Sequence, residues 1–126
     1  MSLRTPLGRV LGLGSAKEGS GHWTAQRVSA VALIPLTLWF VFSLLLLPDL
    51  QYATVRLWLS LPISGFFCVL LLAVLTYHSY LGTAVVVEDY VHSAGMKVLT
   101  LLTLRFLYVL VCGAGILAVL RVVLRA

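Results

Sequence analysis

The chain has 126 residues, of which 61% are hydrophobic and only 10% are charged, and its formal net charge is +5. Soluble domains are roughly 45–50% apolar and about 25% charged, so the composition indicates one domain of a membrane protein and excludes disordered tails, coiled-coil scaffolds and disulfide-rich secreted domains. Lys and Arg together number nine. Their scarcity argues against a phosphate-binding face, and we expect no nucleic-acid partner.

The N-terminal segment, residues 1–21, lacks a continuous apolar stretch and carries charged residues, which is untypical of a cleavable signal peptide. We interpret it as a cytoplasmic segment. A long uncharged run then starts at Val28. At about 1.5 Å per residue its length matches the roughly 30 Å of a bilayer core. The sequence predicts a first membrane helix at about 28–48, kinked at Pro35 and ended by Pro48.

The second apolar run extends from Leu57 to Val87 without Asp, Glu, Lys or Arg. It is longer than the about 20 residues that span a bilayer, so this helix must tilt or protrude. We predict it at about 58–88, with its core at 61–87. Ser60-Leu61-Pro62 is typical of a helix start, because proline fits the first turn.

A third membrane helix is predicted at about 98–122, interrupted by Arg105, whose side chain we expect to reach toward the interface. Cys68 and Cys112 lie within the apolar runs without C-x-x-C spacing, so we interpret them as small packing residues and expect no iron–sulfur cluster or zinc site from this chain alone. Gly113 and Gly115 favour close helix packing.

Basic residues predict the orientation, because they are enriched in cytoplasmic loops. The N-terminus and the 88–97 loop are therefore predicted to face the cytoplasm of a bacterium, with the matrix of a mitochondrion as the alternative, and the protein to cross the inner membrane several times. Trp23 and Tyr90 would then anchor the inner interface, and Tyr52 and Trp58 the outer one. The residues on the inner side are Arg4, Arg9, Lys17, Arg27, Lys97 and Arg105, against Arg56, Arg121 and Arg125 outside.

His78 is the only strongly polar ionisable side chain deep within the three runs. It precedes Asp89 by about 16 Å of helix, which places it near the bilayer midplane. Ionisable groups at this depth usually mark ion, proton or cofactor sites. Gly82 lies on the same face, one turn away, and leaves the gap that a porphyrin needs beside its axial ligand. A proton relay would favour further polar groups on this face.

We do not expect this chain to supply both axial ligands of one iron. If the helix continued to His92, that imidazole would lie about 21 Å from His78, far beyond one coordination sphere. A second axial ligand must therefore come from another subunit. At the inner surface, the Tyr90 hydroxyl can donate to a quinone carbonyl, while Asp89 and Arg27 can move protons and compensate the charge of a reduced oxygen.

These residues resemble two motifs of one family. The stretch from His78 to His92, HSYLGTAVVVEDYVH, is similar to the H-x3-G-x6-D-Y-V signature of the smaller hydrophobic membrane anchor subunit of succinate dehydrogenase, respiratory complex II. The stretch from His22 to Ser29, HWTAQRVS, resembles the H-W-x3-R that opens the first membrane helix of mitochondrial and related bacterial members. The likeness covers residues 22 to about 97, within a three-helix anchor at 22–126.

The resemblance implies roles for individual residues. His78 would be one axial ligand of haem b, shared with a histidine of the larger cytochrome b anchor subunit, and Gly82 would pack against the haem. Tyr90 would hydrogen-bond ubiquinone, with Asp89 holding it or relaying protons. Arg27 would lie near the haem propionates and the quinone pocket. His22 and Trp23 would lie at the inner surface near the iron–sulfur subunit. For Ser29 we predict no role beyond packing and helix entry.

The predicted function is therefore that of a membrane anchor of succinate:ubiquinone oxidoreductase, in a bundle with the second anchor subunit. The chain has neither a G-x-G-x-x-G fingerprint nor clustered cysteines, so flavin and iron–sulfur centres are expected on the flavoprotein and iron–sulfur subunits. No catalytic activity is expected from this chain alone. Two alternatives stay open: an anchor of a quinol:fumarate reductase, and a haem-free proton-relay or transport subunit.

Overall fold

The computed structural model describes residues 6–10 and 19–125. Arg4 and Lys17, on which the predicted orientation partly rests, and most of the N-terminal segment lie outside these ranges. Within them the regular structure is entirely helical. The helices are α1 (Pro6–Val10), α2 (Gly19–Leu45), α3 (Tyr52–Ser60), α4 (Pro62–Tyr90) and α5 (Ala94–Val123).

Three of these helices are long and apolar enough to cross a membrane, at Ser20–Leu45, Pro62–Tyr90 and Ala94–Val123. The predicted all-α fold with three membrane helices is confirmed. Large apolar side chains are exposed along all three helices, and α5 has no buried residue. Because exposed apolar area costs about 25 cal/mol per Å² in water, these surfaces require lipid or other protein chains around them.

The first membrane helix is longer at its N-terminus than the predicted 28–48. It begins at Gly19, continues through Pro35 and ends at Leu45. The predicted start of this helix rests on the charge of Arg27. A charged residue limits only the part of a helix that lies in hydrocarbon, not the helix itself. The H-W-x3-R motif is therefore helical and continuous with the span.

The second run is divided into two helices rather than forming one at 58–88. Leu61 adopts an extended conformation, with φ −64° and ψ 129°, between α3 and α4. Proline disfavours a helical conformation in the residue before it and fits the first turn of the helix that follows. The break thus falls before Pro62, where the Ser60-Leu61-Pro62 pattern predicts a helix start. The short helix α3 has no counterpart in the prediction.

Aromatic packing holds α3 against the long helices. The ring centroid of Trp58 lies 6.0 Å from that of Trp39 and 6.1 Å from that of Phe40, both on α2. Trp39 in turn lies 4.9 Å from Phe67 on α4. Such pairs contribute about 0.5–1.5 kcal/mol each beyond their buried area. Trp58 is consequently half-buried within the protein.

Helix α4 occupies the centre of the fold. It packs against α2, α3 and α5, whereas the Cα atoms of α2 and α5 do not approach within 8 Å of each other along their described lengths. The most buried side chains include Leu71, Leu81 and Ala84 of α4. A polar residue on α4 therefore faces one of these three helices or the surroundings of the bundle.

The interface between α4 and α5 depends on glycine. A Cβ atom at Gly115 would lie 2.5 Å from Cδ2 of Leu72, closer than carbon atoms can approach. Gly113, two residues earlier on the same helix, has open space at the corresponding position. Of the two glycines that sequence analysis singled out, only Gly115 thus makes a close helix contact.

Gly115→Val should therefore destabilise the protein by about 1–3 kcal/mol, because the new side chain overlaps the Leu72 side chain, which must repack to make room. Gly113→Val is the matched control, since it adds the same β-branched side chain to the same helix without a clash. Unfolding of each purified variant in mixed micelles, titrated with a denaturing detergent, measures the difference. Equal stability of the two variants would contradict the close packing at Gly115.

Candidate cofactor and quinone site

His78 lies well inside α4. It precedes the last residue of that helix, Tyr90, by about 18 Å of helical rise, and its side chain is half-buried against α2. An imidazole in this environment loses its hydrogen bonds to water, so it requires partners from the protein or from a ligand. The described residues provide two such partners, both on α2.

The first partner is Ser29. Its Oγ lies 2.9 Å from Nδ1 of His78 and 3.1 Å from the main-chain carbonyl oxygen of Gln26. Ser29 is only 5% exposed. A hydroxyl so deeply buried must use the hydrogen bonds available around it, because leaving them unmade costs about 1–3 kcal/mol. This contact connects α2 and α4 near the middle of both helices.

The second partner is the Gln26 side chain. Its Nε2 lies 3.4 Å from Nε2 of His78 and 3.6 Å from the position that a Cβ atom would take at Gly82. The gap beside Gly82 therefore holds an amide group. The other end of this amide, Oε1, is buried and has no hydrogen-bond partner in the structure.

These contacts follow from helix geometry. On α2, Gln26 and Ser29 are three residues apart, and on α4, His78 and Gly82 are four apart, so each pair shares one helix face. His22 lies one turn before Gln26 on the same face, and its Nε2 is likewise buried without a hydrogen-bond partner among the residues that the structure describes. Sequence analysis gave Ser29 a packing role and Gln26 none. The signal that identifies them is the recurrence of polar residues at offsets of four and seven from His22 in a largely apolar helix.

Arg27 contacts the ring of Trp23. Its guanidinium carbon lies 5.4 Å from the centroid of the Trp23 ring, within the range of a cation–π interaction, and both side chains are exposed. Among the described residues, the structure records no ion pair between Arg27 and Asp89 and no hydrogen bond between Arg27 and Tyr90.

Asp89 and Tyr90 are both exposed at the C-terminal end of α4, Tyr90 to 77%. His92 follows in the short connection to α5 and is also exposed. Nζ of Lys97 donates to the carbonyl oxygen of Glu88 at 2.8 Å and ties the start of α5 to the end of α4. Because α2 and α4 are antiparallel, Arg27 lies toward this same end of the bundle, which we call the Tyr90 end.

Two open grooves border Tyr77, the neighbour of His78. The groove between α2 and α4 has a volume of about 670 Å³ and is lined mainly by small residues, with Ser29 at its edge. The groove between α4 and α5 has a volume of about 270 Å³ and includes Arg105, Tyr80 and Tyr108. Arg105 itself is exposed.

The family is decided by comparison with known proteins. The succinate dehydrogenase/fumarate reductase transmembrane subunit family matches residues 1–112. The chain belongs to this family. The resemblance carried by the two sequence motifs is thereby confirmed, since curated relatives are described as succinate dehydrogenase hydrophobic membrane anchor subunits.

Three relatives illustrate the similarity. The succinate dehydrogenase hydrophobic membrane anchor subunit of Rickettsia bellii is 32% identical over 92% of this chain and 93% of its own length. That of Paracoccus denitrificans is 30% identical over 87% of this chain and 85% of its own length. The succinate dehydrogenase membrane anchor subunit of Reclinomonas americana is 29% identical over 71% and 77%, respectively.

Proposed function

We propose that this chain is the small membrane anchor of a succinate:ubiquinone oxidoreductase, that His78 is one axial ligand of a haem b, and that Tyr90 and Asp89 form part of the ubiquinone reduction site. Family membership supports the role of anchor. The observation that carries the haem assignment is His78 itself, a half-buried imidazole deep in an apolar helix, held at Nδ1 by Ser29.

The residues around His78 fit a haem. Imidazole is a common axial ligand of haem iron. The polar groups beside Nε2 are incompletely satisfied, since Gln26 makes only a 3.4 Å contact there and its Oε1 has no partner. Buried polar atoms without partners are rare and are often associated with a ligand or a functional role. Gly82 adds no side chain to this space, and the nearest atom to its Cβ position is Nε2 of Gln26, at 3.6 Å.

A haem b at this position would supply a one-electron redox centre. This chain would provide one axial imidazole, and the larger cytochrome b anchor subunit would provide the second, as the family resemblance implies. The protein contributes ligand orientation and a dry environment. Arg27, toward the Tyr90 end, is placed to compensate negative charge on haem propionates or on a reduced quinone.

The quinone assignment follows from exposure and depth. The Tyr90 hydroxyl and the Asp89 carboxylate are exposed at a helix end, where a quinone in the bilayer can approach and water can supply protons. Tyr90 would donate a hydrogen bond to a quinone carbonyl, and Asp89 would hold the quinone or pass protons to it. Electrons would come from the iron–sulfur subunit, and succinate would be oxidised on the flavoprotein subunit.

The apolar surface of the three membrane helices would face lipid and the larger anchor subunit. We place the complex in a bacterial inner membrane with the N-terminus and the Tyr90 end inside, where the soluble subunits would dock. The fumarate reductase alternative shares the family description, but the relatives named above are all succinate dehydrogenase subunits. Comparison of succinate:ubiquinone with menaquinol:fumarate turnover separates the two directions.

His78→Ala should abolish the haem b absorption band of the purified complex, because the imidazole supplies an axial bond that alanine cannot make. Optical difference spectra of reduced and oxidised complex measure this. His92→Ala is the matched control, since it removes an exposed imidazole from the connection after α4. A haem band that persists unchanged in His78→Ala would reject the ligand assignment.

Tyr90→Phe should lower succinate:ubiquinone turnover by about tenfold or more, because the hydroxyl that donates to the quinone is lost. Succinate oxidation by an artificial dye, which bypasses the quinone site, should be unchanged. Tyr52→Phe, at an equally exposed tyrosine of α3, should leave both activities unchanged. An equal loss of both activities in Tyr90→Phe would assign Tyr90 a structural role instead.

A further inference from the structure

The hydrogen bonds of Ser29 define the protonation of His78. A serine hydroxyl has one proton and two lone pairs, whereas a main-chain carbonyl can only accept. Because Oγ of Ser29 lies 3.1 Å from the Gln26 carbonyl oxygen, its proton is used there, as is common for serine within a helix. The contact of 2.9 Å to His78 then requires a proton on Nδ1, which donates to Oγ.

The opposite side of the ring gives the same assignment. Nε2 of Gln26 is an amide nitrogen and can only donate, so Nε2 of His78, at 3.4 Å, is the acceptor and carries a lone pair. In the other tautomer, with the amide oriented as it is here, two N–H donors would face each other at this contact, and the Ser29 proton would have to turn from the Gln26 carbonyl oxygen to Nδ1. With the amide in this orientation, the proton on Nδ1 satisfies both contacts together.

We propose that Ser29 is a positioning residue that fixes His78 in the tautomer whose Nε2 can bind a haem iron, and that the Gln26 amide occupies this nitrogen until the iron replaces it. The proposal rests on the haem role of His78 stated above. A hydrogen bond from the second ring nitrogen orients a ligating imidazole and raises its basicity. In a bilayer no water is present to replace Ser29 in this role.

The two α2 residues thus differ in what they contribute. Ser29 remains in contact with Nδ1 in the haem-bound protein, since that nitrogen is not used for ligation. Gln26 is displaced at little cost, because its contact of 3.4 Å is long for a hydrogen bond and its Oε1 has no partner to lose. Its movement clears the space beside Gly82.

The test uses the purified complex and measures the haem midpoint potential together with haem retention. Ser29→Ala should raise the potential, because a less basic imidazole stabilises ferric iron less, and should weaken haem binding by about tenfold. Ser29→Thr retains a hydroxyl that can bond to the preceding turn and should keep the wild-type potential. Ser43→Ala, on the same helix, is the matched control and should leave the potential unchanged.

Ser29→Cys provides a second variant of similar size, in case the alanine variant does not assemble. Its thiol is a weak acceptor, so an upward shift smaller than that of Ser29→Ala is expected. A wild-type potential in Ser29→Cys or Ser29→Ala would overturn the positioning role. Haem loss or a shifted potential in Ser29→Thr would also overturn the positioning role, because the hydroxyl would then not be the group that positions the imidazole.

Gln26→Leu tests the second half of the proposal. If the Gln26 amide contacts Nε2 of His78 only until the iron binds, its removal should leave haem retention and the midpoint potential as in the wild type. Haem loss would show that Gln26 has a lasting role and would overturn its assignment. Failure of the proposed function is distinguishable. If the proposed function is wrong, the complex will contain no haem, or its haem will persist in His78→Ala. If only the present inference is wrong, the haem will depend on His78, but its potential and retention will not change when Ser29 is replaced.

Discussion

The contact between Ser29 and His78 is the interaction on which the site depends. It is one of few polar connections between α2 and α4, and it lies where both helices are surrounded by apolar side chains. An imidazole there cannot form hydrogen bonds to water, so the positions and number of its protein partners determine its orientation and tautomer. A serine of α2 thereby acts on the chemistry available to a histidine of α4.

The central position of α4 explains why one helix can serve several purposes. One face contacts α2 through His78 and Gly82, while another packs closely against Gly115 of α5. The end of α4 presents Asp89 and Tyr90 to the surroundings. Small residues thus allow the helices to approach, and polar residues are concentrated where a cofactor or a quinone can meet them. The exposed apolar surfaces fit a protein that works as one part of a larger membrane complex.

Much of the fold could be predicted because hydrocarbon imposes simple rules. Long runs without charge identify the three membrane helices, and Pro62 marks the start of α4 through its local geometry. The helix bounds near Gly19 could not be predicted from charge, since charge marks the membrane boundary rather than the helix end. The short helix α3 depends on tertiary contacts of Trp58 with Trp39 and Phe40, which no local pattern contains.

The candidate site, like the fold, could be predicted only in part. His78 stands out by depth alone, and the spacing to Asp89 and Tyr90 carries the family resemblance. The partners of His78 could not be predicted in the same way, because Ser29 and Gln26 are common residue types whose roles depend on the alignment of two helices far apart in sequence. Arg27 was grouped with Asp89 and Tyr90, yet within the described structure its contact is the ring of Trp23. Contacts across a helix interface can therefore be identified only from the fold, whereas the depth of a residue and the motif around it can be identified from the sequence.

A map of the whole complex that resolves side chains would test the account most directly. It should contain iron about 2 Å from Nε2 of His78, as for other imidazole–metal bonds, with Nδ1 still in hydrogen-bond contact with Ser29 and the Gln26 side chain moved aside. An imidazole of His78 that faces only lipid or neighbouring side chains, with no macrocycle beside it, would contradict the account.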